Sequence, residues 1–313
     1  MNNFTFSINA VLPVFLVIFI GYFLTKIGIL TKKFSDVSSK FVFVIALPAL
    51  LFLNISKSDF SGIFNIELLR AIVFVFAAIL IIFLSIMLYA KRSIDDERKR
   101  GAFVQGCFRA NYALLGIPLI YNIASDEGVI AASLIAAFII PYFNILAIIA
   151  LSIHRKNSFK SVVVLIIKNP LIISIILGVA ASALKIELPF VINKTVEMFS
   201  MIAIPLAVLS IGVFFDFSRF LSQIKTAAKA TFIKTVLIPL IFTPLAYFAG
   251  IRGAYLISIY VLFASPTAVS SYIMAKGMDA DSETASSIII LTTAFSLFTL
   301  FFGIFILKSL NII

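Results

Sequence analysis

Residues that bind metals or form disulfide bonds are almost missing from this sequence. It contains one cysteine, Cys107, and one histidine, His154, in 313 residues. A lone cysteine excludes an internal disulfide framework and a cysteine-based metal site, and a lone histidine excludes metal binding by a histidine pair. The sequence also lacks a nucleophile–base pair. We therefore expect no metal, no cofactor and no enzyme activity.

Charged residues are scarce as well. They make up 12% of the chain, apolar residues make up 62%, and the mean hydropathy is +1.16. No ordinary soluble domain has this composition. The net charge of +11 would suggest a nucleic-acid partner in a soluble protein. Here most Lys and Arg residues lie in loops between apolar segments, so we expect the lipid bilayer, and no nucleic acid, as a partner. The first apolar segment lacks an Ala-x-Ala-like cleavage signal and should be retained.

The apolar residues form ten segments, most of them long enough for a helix to cross a bilayer. In chain order they are 8–27, 38–54, 66–90, 101–122, 128–153, 168–184, 189–214, 226–249, 253–276 and 284–307. By these boundaries no Asp or Glu falls in the core of a segment. Sodium sites and proton relays in transporters usually use intramembrane carboxylates. This absence disfavours a cation antiporter.

Loop charges predict the orientation of these segments. The loops after the first, third, fifth, seventh and ninth segments hold 17 Lys and Arg residues, and the opposite side holds 6. Because these residues concentrate on the cytoplasmic side, both termini should be extracytoplasmic. Each half has five segments. Because this number is odd, the second half should cross the membrane in the orientation opposite to that of the first.

The two halves of the chain also match each other at a fixed offset. Pro13 and Pro170 are 157 residues apart, and so are Pro48 and Pro205. A period of half the chain indicates a duplicated domain rather than a solenoid. We predict an all-α membrane protein of ten transmembrane helices, arranged as a five-helix repeat over 1–156 and an inverted repeat over 157–313. Inverted repeats with broken helices are typical of secondary transporters.

Segment 101–122 combines a charge, an amide and a helix break. Arg109 and Asn111 lie near its middle, and Gly116 and Pro118 follow. An ionised side chain near the midplane costs several kcal/mol unless it faces a cavity or a partner, and an interior proline removes a backbone hydrogen bond. One interpretation is a kinked helix with a buried, satisfied arginine. The other is a broken helix, crossing its counterpart, that lines a substrate site.

The counterpart in the second half is segment 253–276. It contains Ser265, Pro266, Thr267 and Ser270 near its middle. A broken helix exposes unpaired N–H groups and the positive end of a half-helix dipole, which together can bind an anion. Taken singly, these hydroxyls could equally serve helix packing. In segment 128–153 Asn144 adds a second amide.

Three further residues in apolar segments are interpreted as structural. Pro48 and Pro205 should kink the second and seventh segments and shape a wall of the cavity. Lys234 lies part-way into the eighth segment, and its long aliphatic side chain should let the ammonium group reach the basic loop.

Several motifs resemble those of the auxin efflux carrier family, in particular its short-loop prokaryotic members described as malate or malonate permeases. They are Gly21-Tyr22 and Gly28-Ile29-Leu30, ALPALLF at 46–52, Asn111 with GIPL at 116–119, and Ser265-Pro266-Thr267. The resemblance covers essentially the whole chain. It implies a scaffold of segments one, two, six and seven and a mobile transport domain of the other six. It also implies that Asn111 contacts the substrate and that Asn144 lies near it.

The chain departs from the plant carriers at three positions. Ala110 stands in place of the crossover proline, Arg109 is uncommon there, and Leu51 replaces a small polar residue. These differences favour a small carboxylate over auxin. The resemblance implies an inner-membrane carrier of an organic anion with an elevator mechanism. Two alternatives stay open: a sodium-coupled bile-acid-type symporter, and a membrane receptor or channel that does not transport. A homodimer formed through the scaffold is a possible assembly.

Overall fold

The computed structural model describes residues 3–56, 66–152, 170–213 and 223–313. Within these ranges the chain is helical apart from turns, capping residues and one isolated antiparallel β-bridge. The first helices are α1 (Asn3–Lys26), α2 (Lys32–Phe41), α3 (Leu47–Ser56), α4 (Ile66–Ser93), α5 (Glu97–Phe108) and α6 (Ile117–Leu151). The others are α7 (Pro170–Ala183), α8 (Phe190–Met201), α9 (Ala203–Val213), α10 (Ile224–Phe232), α11 (Ile238–Phe248), α12 (Gly253–Ala264), α13 (Ser270–Gly277) and α14 (Ser282–Ser309). The sequence boundary between 1–156 and 157–313 lies outside the described residues.

Six helical stretches in the described ranges are long and apolar enough to cross a membrane. They are Phe4–Lys26, Ile66–Ser93, Tyr112–Leu151, Phe190–Ser210, Ile224–Phe248 and Ser282–Ser309. The protein is therefore a multi-pass membrane protein. The 40 residues of Tyr112–Leu151 would measure about 60 Å as one straight helix, twice the hydrocarbon thickness. Non-helical backbone at Ala124 and Ser125, where φ of Ser125 is 47°, divides this stretch.

In the described part of the chain, three five-residue π-helical turns accommodate prolines inside apolar helices. The turns are Val42–Ala46, Tyr112–Gly116 and Ile233–Leu237, and Pro48, Pro118 and Pro239 each follow two residues later. A proline lacks an N–H group, and its ring clashes with the carbonyl four residues earlier. A π turn adds one residue and moves that carbonyl away. Pro205 has a different setting, since it lies in the first turn of α9 after a break at Ile202.

Helices α1 and α9 pack through two glycines. A Cβ on Gly21 would lie 2.3 Å from the carbonyl oxygen of Leu209, and one on Gly212 would lie 1.9 Å from that of Ile18. Small residues allow two helix backbones to approach in a membrane, where packing replaces the hydrophobic effect between helices. Helix α9 also contacts α2, and α3 packs against α7 and α8.

The remaining helices pack around α5 and α12. Helix α5 contacts α4, α6 and α14, and α12 contacts α6 and α11. Aromatic rings fill the space between α4, α5 and α6, where Phe108 lies 5.5 Å from Phe83 and 6.0 Å from Phe143, measured between ring centroids. Helix α1 meets this group along α14 and α6. The interior around α5 and α12 is thus fully enclosed by helices.

One sequence expectation about acidic residues needs correction. Glu197 falls within segment 189–214, which was expected to hold no acid in its core. The structure ends α8 at Met201, and the Glu197 carboxylate accepts a hydrogen bond of 2.8 Å from Lys194 one turn earlier. An exposed pair of this type neutralises both charges at the helix surface. The charges of Glu197 and Lys194 therefore balance locally.

Candidate functional site

Two helices end beside each other in the protein interior. Helix α5 ends at Phe108 and α12 at Ala264, and the chain becomes helical again at Tyr112 and Ser270 respectively. Each break lies where the sequence placed an interruption, in 101–122 and in 253–276. Every residue from 101 to 112 and from 256 to 268 is buried. The two non-helical stretches are therefore enclosed by protein.

The two breaks satisfy each other's backbone groups. Ala110 and Thr267 form an antiparallel β-bridge, and the Asn111 N–H donates a hydrogen bond of 2.7 Å to the Pro266 carbonyl. Non-helical backbone at membrane depth is tolerated only where such partners exist. The structure thus brings together Asn111, Pro266 and Thr267, which the sequence predicted to share one site. We call the stretches 109–111 and 265–267 together the crossover.

The Thr267 side chain is engaged within the protein. Its hydroxyl donates a hydrogen bond of 2.6 Å to the Gly106 carbonyl, and its N–H donates to Oγ1 of Thr292 at 3.1 Å. Gly106 lies in the last turn of α5, whose final carbonyls lack helical partners. Thr267 therefore caps one broken helix from the other. Thr292 was not identified from the sequence, because a threonine in an apolar helix gives no signal of which backbone group it will meet.

Arg109 directs its guanidinium group away from water and towards neutral partners. It is 7% exposed, and one nitrogen donates a hydrogen bond of 2.7 Å to Oδ1 of Asn144 while another contacts the Met274 sulfur. The Arg109 carbonyl accepts from the Ala268 N–H at 3.4 Å. Within the described ranges Arg109 forms no ion pair. Among the described residues, this buried positive charge therefore has no carboxylate partner.

Several buried polar atoms near the crossover have no hydrogen-bond partner among the described residues. They are Nδ2 of Asn111, Oγ of Ser265, Oγ of Ser271 and Oε1 of Gln105. A buried donor or acceptor without a partner costs about 1–3 kcal/mol. Most buried polar groups in proteins are satisfied, so a cluster of exceptions beside a buried cation indicates a place for a polar ligand.

The other predicted site residues have distinct positions. Ser270 begins α13 and is exposed, whereas its neighbour Ser271 is buried. Gly116 and Pro118 lie at the start of the helix after the first break, and a Cβ on Gly116 would be 2.7 Å from the Tyr112 ring. Pro48 and Pro205 lie in α3 and α9, away from the crossover hydrogen bonds, although α9 packs against the turn Tyr112–Gly116.

Lys234 is a buried polar residue whose position the sequence did not predict. Its ammonium donates to the carbonyls of Phe263 at 3.1 Å and Leu262 at 3.4 Å. The expectation that its stem extends to the basic loop is wrong. The reason is that the terminal carbonyls of α12 lack helical partners and accept hydrogen bonds from the buried ammonium.

Comparison with known proteins now defines the family. A family model described as "Membrane transport protein" matches residues 6–304. The chain belongs to this family, that of the auxin efflux carriers. It is a family of transporters and not of enzymes. The resemblance noted in the sequence is thereby confirmed.

Three curated proteins are similar to this chain over nearly its whole length. An "Uncharacterized transporter" of Methanothermobacter thermautotrophicus is 25% identical over 94% of this chain and 96% of its own. An "Uncharacterized transporter" of Methanocaldococcus jannaschii is 24% identical over 92% and 95%. A "Putative malonate transporter" of Rhizobium meliloti is 24% identical over 96% and 95%.

Proposed function

We propose that the protein is a secondary transporter of a small organic carboxylate across the inner membrane. The observation that carries this proposal is Arg109, a buried guanidinium without a carboxylate partner in the described ranges. Guanidinium groups bind carboxylates through two parallel hydrogen bonds. The amide nitrogen of Asn111, which has no hydrogen-bond partner among the described residues, lies two residues away. A carboxylate at this position would satisfy both groups.

The helix after the first break adds a further attraction for an anion. Leu115 and Gly116 are the first residues of this helix whose N–H groups bond back to the Asn111 carbonyl. The N–H groups before them belong to the positive end of the half-helix dipole. Unwound helices in transporters place such ends near the anionic group of the substrate. The proposed binding residues are Arg109, Asn111, Asn144, Ser265, Pro266, Thr267 and Ser270.

The proposed architecture is ten transmembrane helices in two inverted repeats. Two observations support it. Helices α5 and α12 both contain 12 residues, and at an offset of 157 they correspond to within one residue. The first turn of α5 and the loop after α13 also meet, because Arg98 forms an ion pair of 3.1 Å with Asp279. The charge count places both on the cytoplasmic side, with both termini outside.

The proposed mechanism is movement of one helix group against the other. Helices α1 to α3 pack with α7 to α9, whereas α5 and α12 pack with α4, α6, α11 and α14. The first group would form the scaffold, and the second would carry the crossover across the membrane. Pro48, Gly116, Pro118 and Pro205 are the proposed hinge positions. A homodimer through the scaffold stays a prediction.

The name of one relative guides the choice of substrate. The Rhizobium meliloti protein is called a "Putative malonate transporter", and malonate is a small dicarboxylate. We propose malonate as the first probe for this chain, with a panel of mono-, di- and tricarboxylates beside it. The proposed substrate is a carboxylate small enough to bind between Arg109 and Asn111.

Counterflow in proteoliposomes tests the proposal. Vesicles are loaded with an unlabelled carboxylate, diluted into a trace of the labelled one, and followed over time. A carrier accumulates label transiently above equilibrium, whereas a channel only equilibrates and a receptor takes up nothing. Accumulation with at least one carboxylate is expected. If no member of the panel exchanges, while vesicles with correctly inserted protein are demonstrated, the proposed function is wrong.

A further inference from the structure

Lys234 occupies a position that the proposed anion site does not explain. It lies in the π turn Ile233–Leu237 and is 1% exposed. Its ammonium donates to the carbonyls of Leu262 and Phe263, both in the last turn of α12. The nearby hydroxyls do not compete for these carbonyls, because Thr231 and Thr235 each bond back to their own helix.

The end of α12 is a natural site for a cation. The last four carbonyls of a helix lack helical partners, and the helix dipole places a negative partial charge there. In transporters with broken helices, such half-helix ends coordinate the coupling sodium ion or proton. A free cation would therefore be expected to bind at Leu262 and Phe263 if no ammonium were present.

No acidic residue accounts for the lysine. The sequence has no Asp or Glu in 226–249, 253–276 or 284–307, and Lys234 forms no ion pair within the described ranges. The end of α5 is different, because the Gly106 carbonyl there accepts the neutral Thr267 hydroxyl. At an offset of 157 the residue matching Lys234 is Ala77. Among the described residues, a tethered ammonium therefore meets the terminal carbonyls of α12 but not those of α5, and Arg109 at the first break donates to Asn144 and Met274 instead.

We propose that Lys234 is a built-in cation at the broken end of α12, in the place where an external cation would otherwise bind. Anion binding at the crossover then requires no sodium ion. The inference rests on the proposed function, since it concerns what the same site needs in order to bind its anion. Lys234 is a positioning residue: it holds the carbonyl end of α12 three residues before Pro266, whose own carbonyl pairs with Asn111.

Ion replacement in the counterflow assay tests this inference. Labelled malonate exchange is measured in sodium, potassium and N-methyl-D-glucammonium chloride. The unmodified protein should exchange at rates within twofold in all three salts. Lys234→Ala should lose at least tenfold in N-methyl-D-glucammonium chloride and recover when sodium or methylammonium fills the vacated space. Lys234→Met should stay slow in every salt, because the methionine fills that space without a charge.

Melting temperature gives a readout that does not depend on transport. Cys107 is the single cysteine and is buried, so a thiol-reactive dye reports its exposure on unfolding. Sodium or methylammonium should raise the melting temperature of Lys234→Ala and leave that of the unmodified protein unchanged. Lys229→Ala, an exposed lysine on α10, is the matched control and should behave like the unmodified protein in both assays.

Three outcomes would overturn the inference. One is a sodium requirement in the unmodified protein, and another is unimpaired exchange by Lys234→Ala in N-methyl-D-glucammonium chloride. The third is a Lys234→Ala protein that fails to fold and that neither sodium nor methylammonium recovers. Absence of exchange with every carboxylate of the panel in the unmodified protein would count against the proposed function, while the melting experiment would still decide the role of Lys234.

Discussion

The guanidinium of Arg109 and the side-chain oxygen of Asn144 are joined by a hydrogen bond of 2.7 Å. This bond links the first helix break to α6, the helix that packs against α12. A neutral amide can hold the guanidinium in place without cancelling its charge. The pair thus orients Arg109 and leaves its charge uncancelled by Asn144.

Removing the charge of Arg109 should abolish carboxylate binding. We expect Arg109→Gln to weaken malonate binding by about 30-fold or more, since truncating one partner of a buried charge interaction costs about 2–5 kcal/mol. The melting temperature reported by Cys107 is measured in parallel. Loss of binding with an unchanged melting temperature is the expected result. A protein that no longer folds would show instead that Arg109 is structural, and unchanged binding would place it outside the site.

A carboxylate at position 144 should compete with the substrate. Asn144→Asp places an anion within reach of the Arg109 guanidinium, so the protein should fold normally and lose malonate binding. Asn144→Ala is the control, because it removes the hydrogen bond and adds no charge. We expect its affinity to fall less than that of Asn144→Asp. Equal affinities for the two variants would contradict a role for the Arg109 charge in binding.

Substitutions of Asn111 and Thr267 should affect different properties, ligand binding and thermal stability respectively, although the two residues lie side by side. Asn111→Ala removes an unpartnered amide and should weaken malonate binding by about 1–3 kcal/mol. Thr267→Val removes the hydrogen bond to Gly106 and should mainly lower the melting temperature. The two changes together should be non-additive in binding, because the backbone at Thr267 pairs with the backbone beside Asn111. Additive effects would indicate that Thr267 does not position Asn111.

Sequence reasoning located the two helix breaks and predicted that Asn111 and Thr267 lie together, but it did not find the side-chain contacts around them. The breaks near Arg109 and Pro266 were predictable because a charge, an amide or a proline inside an apolar segment is costly. The contacts of Lys234 and Met274 were not predictable. The sequence does not show which backbone carbonyls a buried lysine will meet, and a methionine gives no sequence signal of the cation it will contact. Glu197 was missed because the apolar residues around it in segment 189–214 keep the average hydropathy of the segment high.

The close contact of α1 and α9 should tolerate no side chain. A Cβ on Gly212 would lie 1.9 Å from the Ile18 carbonyl oxygen, so the backbones must separate. We expect Gly212→Ala to lower the melting temperature strongly, because overpacking typically costs about 1–3 kcal/mol or more. Gly178→Ala is the matched control, since its Cβ would lie 3.0 Å from the Ile55 side chain. An equal loss in both variants would contradict the helix contact described here.

Cysteine labelling in intact cells should establish the orientation of the protein. The starting protein carries Cys107→Ser, and single cysteines then replace Ser93, Asp279 or Asn311. Ser93 and Asp279 are exposed. Ser93 ends α4 five residues before Arg98, which pairs with Asp279, so the two positions must lie on the same side. The count of 17 Lys and Arg residues in the loops of this side against 6 on the other predicts that it is cytoplasmic. A membrane-impermeant thiol reagent should therefore label Asn311→Cys in intact cells, and label Ser93→Cys and Asp279→Cys only after lysis. Labelling of Ser93→Cys from outside would reverse the orientation, and opposite results for Ser93→Cys and Asp279→Cys would contradict the ion pair itself.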